Sequence, residues 1–306
     1  MSHDSGQVWS PVITPFGADL APDAQRFVAH CRWLFKQEVG LAVFGTNSEA
    51  NSLTVEEKMR LLDTLIEAGI PSARLMPGTG GCALGDTVAL TRHAVAKGVE
   101  GVLMLPPFYY KGVSDEGLFR YFSKVIERVG DERLRIYLYH IPAVSQVPLS
   151  LGLIERLLKA FPDSVVGIKD SSGDWANTEA VIRNFAADGL QVYAGSESFL
   201  LQALRAGGAG CISATANVNP APIARLANSW GADNADEQQA ALIRTRKIFE
   251  RFPVISALKA VTARFSDDQQ WAQLRPPLVE LNDQQRGELF ALLDEIGFDM
   301  PGLAHS

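Results

Sequence analysis

Short apolar runs alternate with longer amphipathic ones along most of the chain, and this alternation limits the fold more than any other feature. The short runs lie at 7–14, 40–45, 74–78, 101–105, 135–139, 165–169, 191–194 and 210–213. They are apolar almost throughout and bounded by Gly, Pro or Ser, which suits strands covered on both faces. Helical periodicity fills the intervals at 23–37, 54–68, 86–97, 115–129, 150–160, 174–187, 198–206 and 220–229. Thr54 with Glu57 three residues on reads as a capping box, and Gly98 as the residue that stops the following helix. About eight strand-then-helix units demand right-handed crossovers and a parallel sheet, and that number closes into a (β/α)8 barrel, the TIM-barrel fold.

After Gly231 the strand signal stops. Helices are expected at 235–251, 254–265 and 282–295, with Pro276-Pro277 between the last two. The chain therefore divides into a barrel carrying the active site, 1–231, and a C-terminal helical region, 232–306. A doubly wound dinucleotide-binding fold needs a phosphate fingerprint. Gly78-Thr79-Gly80-Gly81 is the best candidate, but Glu100, the acidic residue at the right distance, stands before a strand rather than at the end of one.

Composition sets the class of partner. The 306 residues are 47% hydrophobic and 21% charged, with a formal net charge of -7 and no basic cluster. That excludes nucleic acid and an anionic membrane as expected partners. No window approaches a membrane span, and residues 1–11 lack the charged head and apolar stretch of a secretory leader, so a cytoplasmic protein is expected. Cys31, Cys82 and Cys211 are far apart and read as small buried hydrophobes in a reducing compartment. The five histidines are equally scattered, and no metal-ligand spacing appears.

Catalytic groups of such barrels sit at the C-terminal ends of strands. Lys169 directly continues Val165-Val166-Gly167-Ile168 and is expected inside the barrel mouth. An amine there, once neutral, can attack a carbonyl and form an imine. By position alone it reads rather as a surface lysine just past a strand end. Tyr139 ends the preceding strand, where a phenol can shuttle protons or simply pack in the core. Thr46 and Asn47 follow Gly45 and could cradle a carboxylate, or form only a helix-entry turn.

Taken together these segments resemble the dihydrodipicolinate synthase/N-acetylneuraminate lyase superfamily of class I aldolases. Gly45-Thr46-Asn47-Ser48-Glu49 stands at that family's carboxylate loop, Tyr139-His140-Ile141-Pro142 at its Tyr-Asn-Val/Ile-Pro motif, and Gly167-Ile168-Lys169-Asp170 at its Schiff-base motif. Phe108-Tyr109-Tyr110 resembles its interface segment, and Gly210-Cys211-Ile212-Ser213 the place where a backbone carbonyl faces bound pyruvate. The resemblance runs from Thr14-Pro15-Phe16 into the helical C-terminus.

The resemblance implies roles. Lys169 forms the imine, and Tyr139 moves protons, aided by Thr46 and by Tyr110 reaching in from a neighbouring subunit. Thr46 and Asn47 hold the 2-oxo acid carboxylate, and Gly195 and Ile212 complete the substrate site. It implies no metal and no organic cofactor, because the protonated imine is the electron sink, and it implies a homotetramer built as a dimer of dimers.

The departures bear on specificity. Dihydrodipicolinate synthases place an arginine two residues after the Tyr-x-x-Pro motif; here Val144 stands there and cannot pair with a carboxylate. Sialic acid lyases place a glutamate three residues after the seventh-strand glycine; here Glu197 falls one residue early after Gly195. The leading expectation is therefore a Schiff-base lyase, aldolase or hydro-lyase, acting on pyruvate or a 2-keto-3-deoxy acid. The alternatives are 4-hydroxy-tetrahydrodipicolinate synthase, condensing pyruvate with aspartate semialdehyde, and a non-catalytic 2-oxo acid binding protein.

Overall fold

The computed structural model describes residues 6–305. Residues 1–5, part of the N-terminal segment read above, and residue 306 lie outside the described residues. In chain order the elements are β1 (Gln7–Ser10), α1 (Ala24–Lys36), β2 (Gly40–Leu41), α2 (Val55–Glu67), α3 (Leu84–Ala96), β3 (Val102–Met104), α4 (Asp115–Val129) and β4 (Ile136–His140). They continue with α5 (Pro142–Ser145), α6 (Leu151–Ala160), β5 (Val165–Asp170), α7 (Trp175–Phe185), β6 (Gln191–Ala194), α8 (Leu200–Arg205), β7 (Gly210–Ile212) and α9 (Pro220–Asn228). The C-terminal helices are α10 (Ala235–Phe249), α11 (Val254–Ser266) and α12 (Asp283–Glu295).

The seven strands form one parallel sheet in the order β2-β1-β7-β6-β5-β4-β3. The segment expected as a strand at 74–78 lies between its two ends, but not as a regular ladder. Leu75 bridges Leu41 and Gly78 bridges Leu103, both parallel. Met76 N–H donates to Leu41 O at 2.9 Å, and Leu103 N–H donates to Pro77 O at 3.0 Å. Pro77 has no N–H to return, so the pairing is interrupted there. The sheet thus curls into a TIM-barrel fold with helices around it.

Proline also explains why the first expected strand is short: β1 stops at Ser10, immediately before Pro11. Regular pairing in the second covers only Gly40–Leu41, although Ala42 N–H still reaches Ser10 O at 2.8 Å. The helices follow their capping signals. Thr54 and Glu57 form the reciprocal capping box of α2, Ser114 caps α4, and Gly130 ends α4 in the left-handed region at φ 62°. The helix expected at 198–206 opens instead as a 3-10 turn, Glu197–Phe199, before α8. The short helix α5 was not anticipated. Cys31 and Cys211 are buried as expected, but Cys82 is exposed, because it lies in the loop after Gly80-Gly81 rather than in a packed element.

Inside the barrel Trp9, Ala42, Met76, Leu103, Tyr137, Tyr139, Tyr193 and Ile212 form one packed cluster. Large rings are accommodated where a facing stave is small. A Cβ at Gly167 would come within 2.3 Å of the Tyr137 ring. This plug fills the interior below the strand C-termini, the end at which barrels of this kind carry their active sites. The C-terminal helices pack onto the barrel at the same end: α10 contacts α8 and α9, and α11 contacts the 3-10 turn Thr46–Ser48. Among the described residues no helix is long and apolar enough to cross a membrane, and no group of His, Cys, Asp or Glu is placed to hold a metal.

Candidate active site

Lys169 is the penultimate residue of β5 and is in register with Tyr139 on β4. Side chains alternate along a strand, so Lys169 shares the inward face with Gly167. The lysine is 2% exposed. Its Nζ lies 3.4 Å from Tyr139 Oη and 4.4 Å from the centre of that ring. Tyr139 Oη in turn lies 3.1 Å from Thr46 Oγ1. A continuous path therefore links Thr46, Tyr139 and Lys169, within the reach required for proton transfer.

Thr46 is delivered by a strained loop. Ser48 N–H donates to Gly45 O and Glu49 N–H to Thr46 O, which makes a single 3-10 turn. Such a turn leaves its first amides, those of Thr46 and Asn47, without an acceptor inside the turn. Phe44 and Glu49 flank it at φ 61° and 56°, a conformation non-glycine residues adopt only under external constraint. The constraint is visible. Thr14 Oγ1 donates to Ser48 O at 2.7 Å. Glu49 forms an ion pair with Lys259 of α11, both side chains fully buried. Lys259 Nζ also donates to Gln273 O at 2.7 Å, and Arg275 N–H donates to Glu49 Oε2 at 3.1 Å. Burial pushes the Lys259 ammonium down to about 8, with Glu49 opposing the shift.

The loop after β5 is fixed by Asp170. This buried carboxylate accepts from Ser172 N–H at 3.0 Å, Asn177 Nδ2 at 3.0 Å and Thr178 Oγ1 at 2.6 Å. His140, in register with Asp170, accepts from Leu149 N–H at Nδ1, which leaves the ring proton on Nε2, 3.9 Å from Asp170 Oδ1. Burial lowers the His140 pKa, and Asp170 opposes that. The loop after β6 passes close to this turn. Gly195 N–H donates to Asp170 O at 2.7 Å, and a Cβ on Gly195 would come within 2.1 Å of Ser171 Oγ.

These loops enclose a cavity of about 550 Å3, within the range of small-molecule sites. Thr46, Asn47, Tyr139, Lys169 and Gly195 line it, so five of the residues singled out in the sequence converge on one space. Val144 lines it too, 62% exposed. Ile212 is buried in the barrel interior at the end of β7 and is not part of the lining. Tyr110 is also outside it: the ring is 70% exposed and packs edge-on against Tyr109, itself 74% exposed.

Sequence reasoning missed the wall supplied by the C-terminal helices. Arg246 and Glu250 of α10 and its cap, and Val254 at the start of α11, line the same cavity. Arg246 and Glu250 are four residues apart and read in sequence as an ordinary surface pair. Only the docking of α10 beside the β6 loop turns them inward. Glu197 is fully buried behind them and accepts hydrogen bonds from the Ser213 and Thr215 hydroxyls.

The chain is similar over nearly its whole length to proteins of one family. The Dihydrodipicolinate synthetase family matches residues 4–296. A DapA-like lyase of Chloroflexus aurantiacus is 33% identical over 291 residues, spanning 94% of this chain and 95% of its own. The crystal structure of dihydrodipicolinate synthase from Agrobacterium tumefaciens superposes with a TM-score of 0.88 at 31% identity, covering 95% of this chain and 99% of that one. YagE, an E. coli K12 prophage protein of the dihydrodipicolinic acid synthase family solved with pyruvate, gives a TM-score of 0.87 at 26% identity, covering 96% and 99%. With a barrel closed by C-terminal helices and a match over nearly its whole length, the chain belongs to the dihydrodipicolinate synthetase family and is a lyase of the class I aldolase type.

Proposed function

We propose that this lyase binds pyruvate, or a 2-keto-3-deoxy acid that yields it, as an imine on Lys169. The observation that carries the reading is a buried lysine at the end of β5 within 3.4 Å of a tyrosine hydroxyl that is itself hydrogen-bonded to Thr46. Lys169 Nζ adds to the 2-oxo carbon, and water leaves as the imine forms. The protonated imine then accepts the electron pair released when the C3–C4 bond breaks and becomes an enamine, and in the reverse direction that enamine supplies the pair that forms the bond. Tyr139 carries protons between the lysine, the departing water and the substrate, with Thr46 next in line. The amides of Thr46 and Asn47 and the Asn47 side chain hold the substrate carboxylate, and Gly195 and the Ile212 carbonyl border the bound acid. Tyr110, exposed and outside the lining of its own cavity, completes the relay of a neighbouring subunit in a homo-oligomer built from dimers.

Condensation of pyruvate with aspartate semialdehyde is the second reading, supported by named relatives such as the Agrobacterium enzyme. Val144 speaks against it, since an uncharged side chain stands where that activity uses an arginine. The two readings separate in one experiment. Purified protein is assayed for pyruvate release from a panel of 2-keto-3-deoxy acids and, in parallel, for pyruvate consumption with aspartate semialdehyde. Release that vanishes in Lys169→Ala, with weak condensation, is expected; efficient condensation and no release would reverse the assignment.

A further inference from the structure

The cavity that holds Lys169 contains one guanidinium, and its surroundings indicate what it recognises. Arg246 side-chain exposure is 15%, and its Nε donates to Glu250 Oε1 at 2.8 Å. Nη1 is buried and has no hydrogen-bond partner among the described residues; the nearest carboxylate oxygen, Glu197 Oε2, is 3.6 Å away. A guanidinium offers five N–H donors, and here only Nε is seen in a hydrogen bond. A guanidinium nitrogen buried without a partner is costly to keep in a purely structural group.

Its two acidic neighbours differ in kind. Glu197 is fully buried, fixed by the Ser213 and Thr215 hydroxyls, and cannot leave. Glu250 is 51% exposed and sits at the C-cap of α10, where the helix dipole disfavours a negative charge. Its pairing with Arg246 is the weaker i,i+4 order, cation before anion. One carboxylate therefore anchors the guanidinium from behind, while the other holds it from the front, loosely.

We propose that Arg246 binds a second carboxylate, at the far end of the 2-oxo acid, and that Glu250 occupies the place this carboxylate takes. The inference rests on the reading of Lys169 as the imine-forming residue of the same cavity. The substrate class is a 2-oxo diacid. Because Glu197 already faces Nη1 and offsets part of the guanidinium charge, the site suits the planar fork of one carboxylate better than a phosphate dianion. A neutral polyol tail fits less well, because it would use Glu250 as an acceptor instead of displacing it. The charge missing at Val144 is thus supplied by α10, which lines the same cavity.

The test compares two probes of equal chain length, 2-oxoadipate and 2-oxohexanoate, by calorimetric titration of the intact protein. Wild type is expected to bind the diacid at least tenfold more tightly, the usual effect of one charge-assisted contact. Arg246→Gln should collapse that ratio toward one, and Arg246→Lys should restore part of it. Glu250→Gln, at a half-exposed position, should raise the ratio by removing the competitor. Equal binding of the two probes by wild type, a ratio unmoved in Arg246→Gln, or a ratio that falls in Glu250→Gln would each overturn the proposal. Calorimetry reads the ratio whether or not an imine forms. Loss of borohydride trapping with the ratio intact would therefore count against Lys169 chemistry and leave the diacid site standing.

Discussion

The buried Glu49–Lys259 pair offers the sharpest test of how the C-terminal helices support the site. Both side chains are fully buried, and Glu49 anchors the loop that carries Thr46 and Asn47. Lys259→Met removes the cation and leaves Glu49 with the Arg275 amide at Oε2 but no counter-charge at Oε1. Breaking a buried pair on one side costs about 3–5 kcal/mol, because a charge is stranded. With about 2.1 cal/mol/K of unfolding entropy per residue over 306 residues, that corresponds to a melting temperature lower by about 5–8 °C. The double variant Glu49→Gln/Lys259→Met strands no charge and should recover at least half of the loss. The assay is thermal unfolding of the four members of the cycle, with calorimetric pyruvate affinity beside it. Affinity should weaken in Lys259→Met, since the amides of residues 46 and 47 lose their support. A Lys259→Met melting temperature within 2 °C of wild type, or a double variant as unstable as the sum of the singles, would refute the reasoning.

Three further outcomes follow from individual residues. His30 is buried between Trp33 and Trp271, and burial lowers its pKa from 6.5 to about 4. Its contribution to stability is therefore fully present above pH 6.5 and declines as pH falls toward 4, by on the order of 3 kcal/mol; His30→Phe should flatten this part of a denaturant-unfolding pH profile, and an unchanged slope would rule the histidine out. Tyr139→Phe should slow turnover by on the order of 100- to 10,000-fold while Lys169 remains accessible to imine trapping; turnover within tenfold of wild type would remove Tyr139 from the proton path. Mixed dimers of Tyr110→Phe and Lys169→Ala subunits should keep near half of wild-type activity if Tyr110 acts across the interface, whereas activity no higher than that of an isolated Tyr110→Phe site would place it in cis.

How far the sequence reached depended on whether a signal was local. The barrel was legible because each strand-helix unit announces itself within a few residues, and the β6 bounds, 191–194, came out as read. Strand ends were not, because Pro11 and Pro77 cut hydrogen bonds that an apolar run does not reveal. The overlooked helix α5 had a signal in Pro142 at its first position, hidden by reading Tyr139-His140-Ile141-Pro142 as a motif instead of a boundary. Thr46, Tyr139 and Lys169 could be placed together because all stand at strand C-termini on one barrel rim. Arg246, Glu250 and Lys259 could not, since their position depends on how α10 and α11 dock, and residues 49 and 259 meet across 209 intervening positions with no local trace of it.

The central claim is that Lys169 forms an imine with a 2-oxo acid, and reductive trapping addresses it most directly. Protein is incubated with pyruvate, reduced with borohydride, digested and weighed by mass spectrometry. One pyruvate-derived group is expected per chain, on the peptide that contains Lys169, and none in Lys169→Ala. Undiminished labelling of Lys169→Ala, or no labelling of the wild type under saturating pyruvate, would contradict the account.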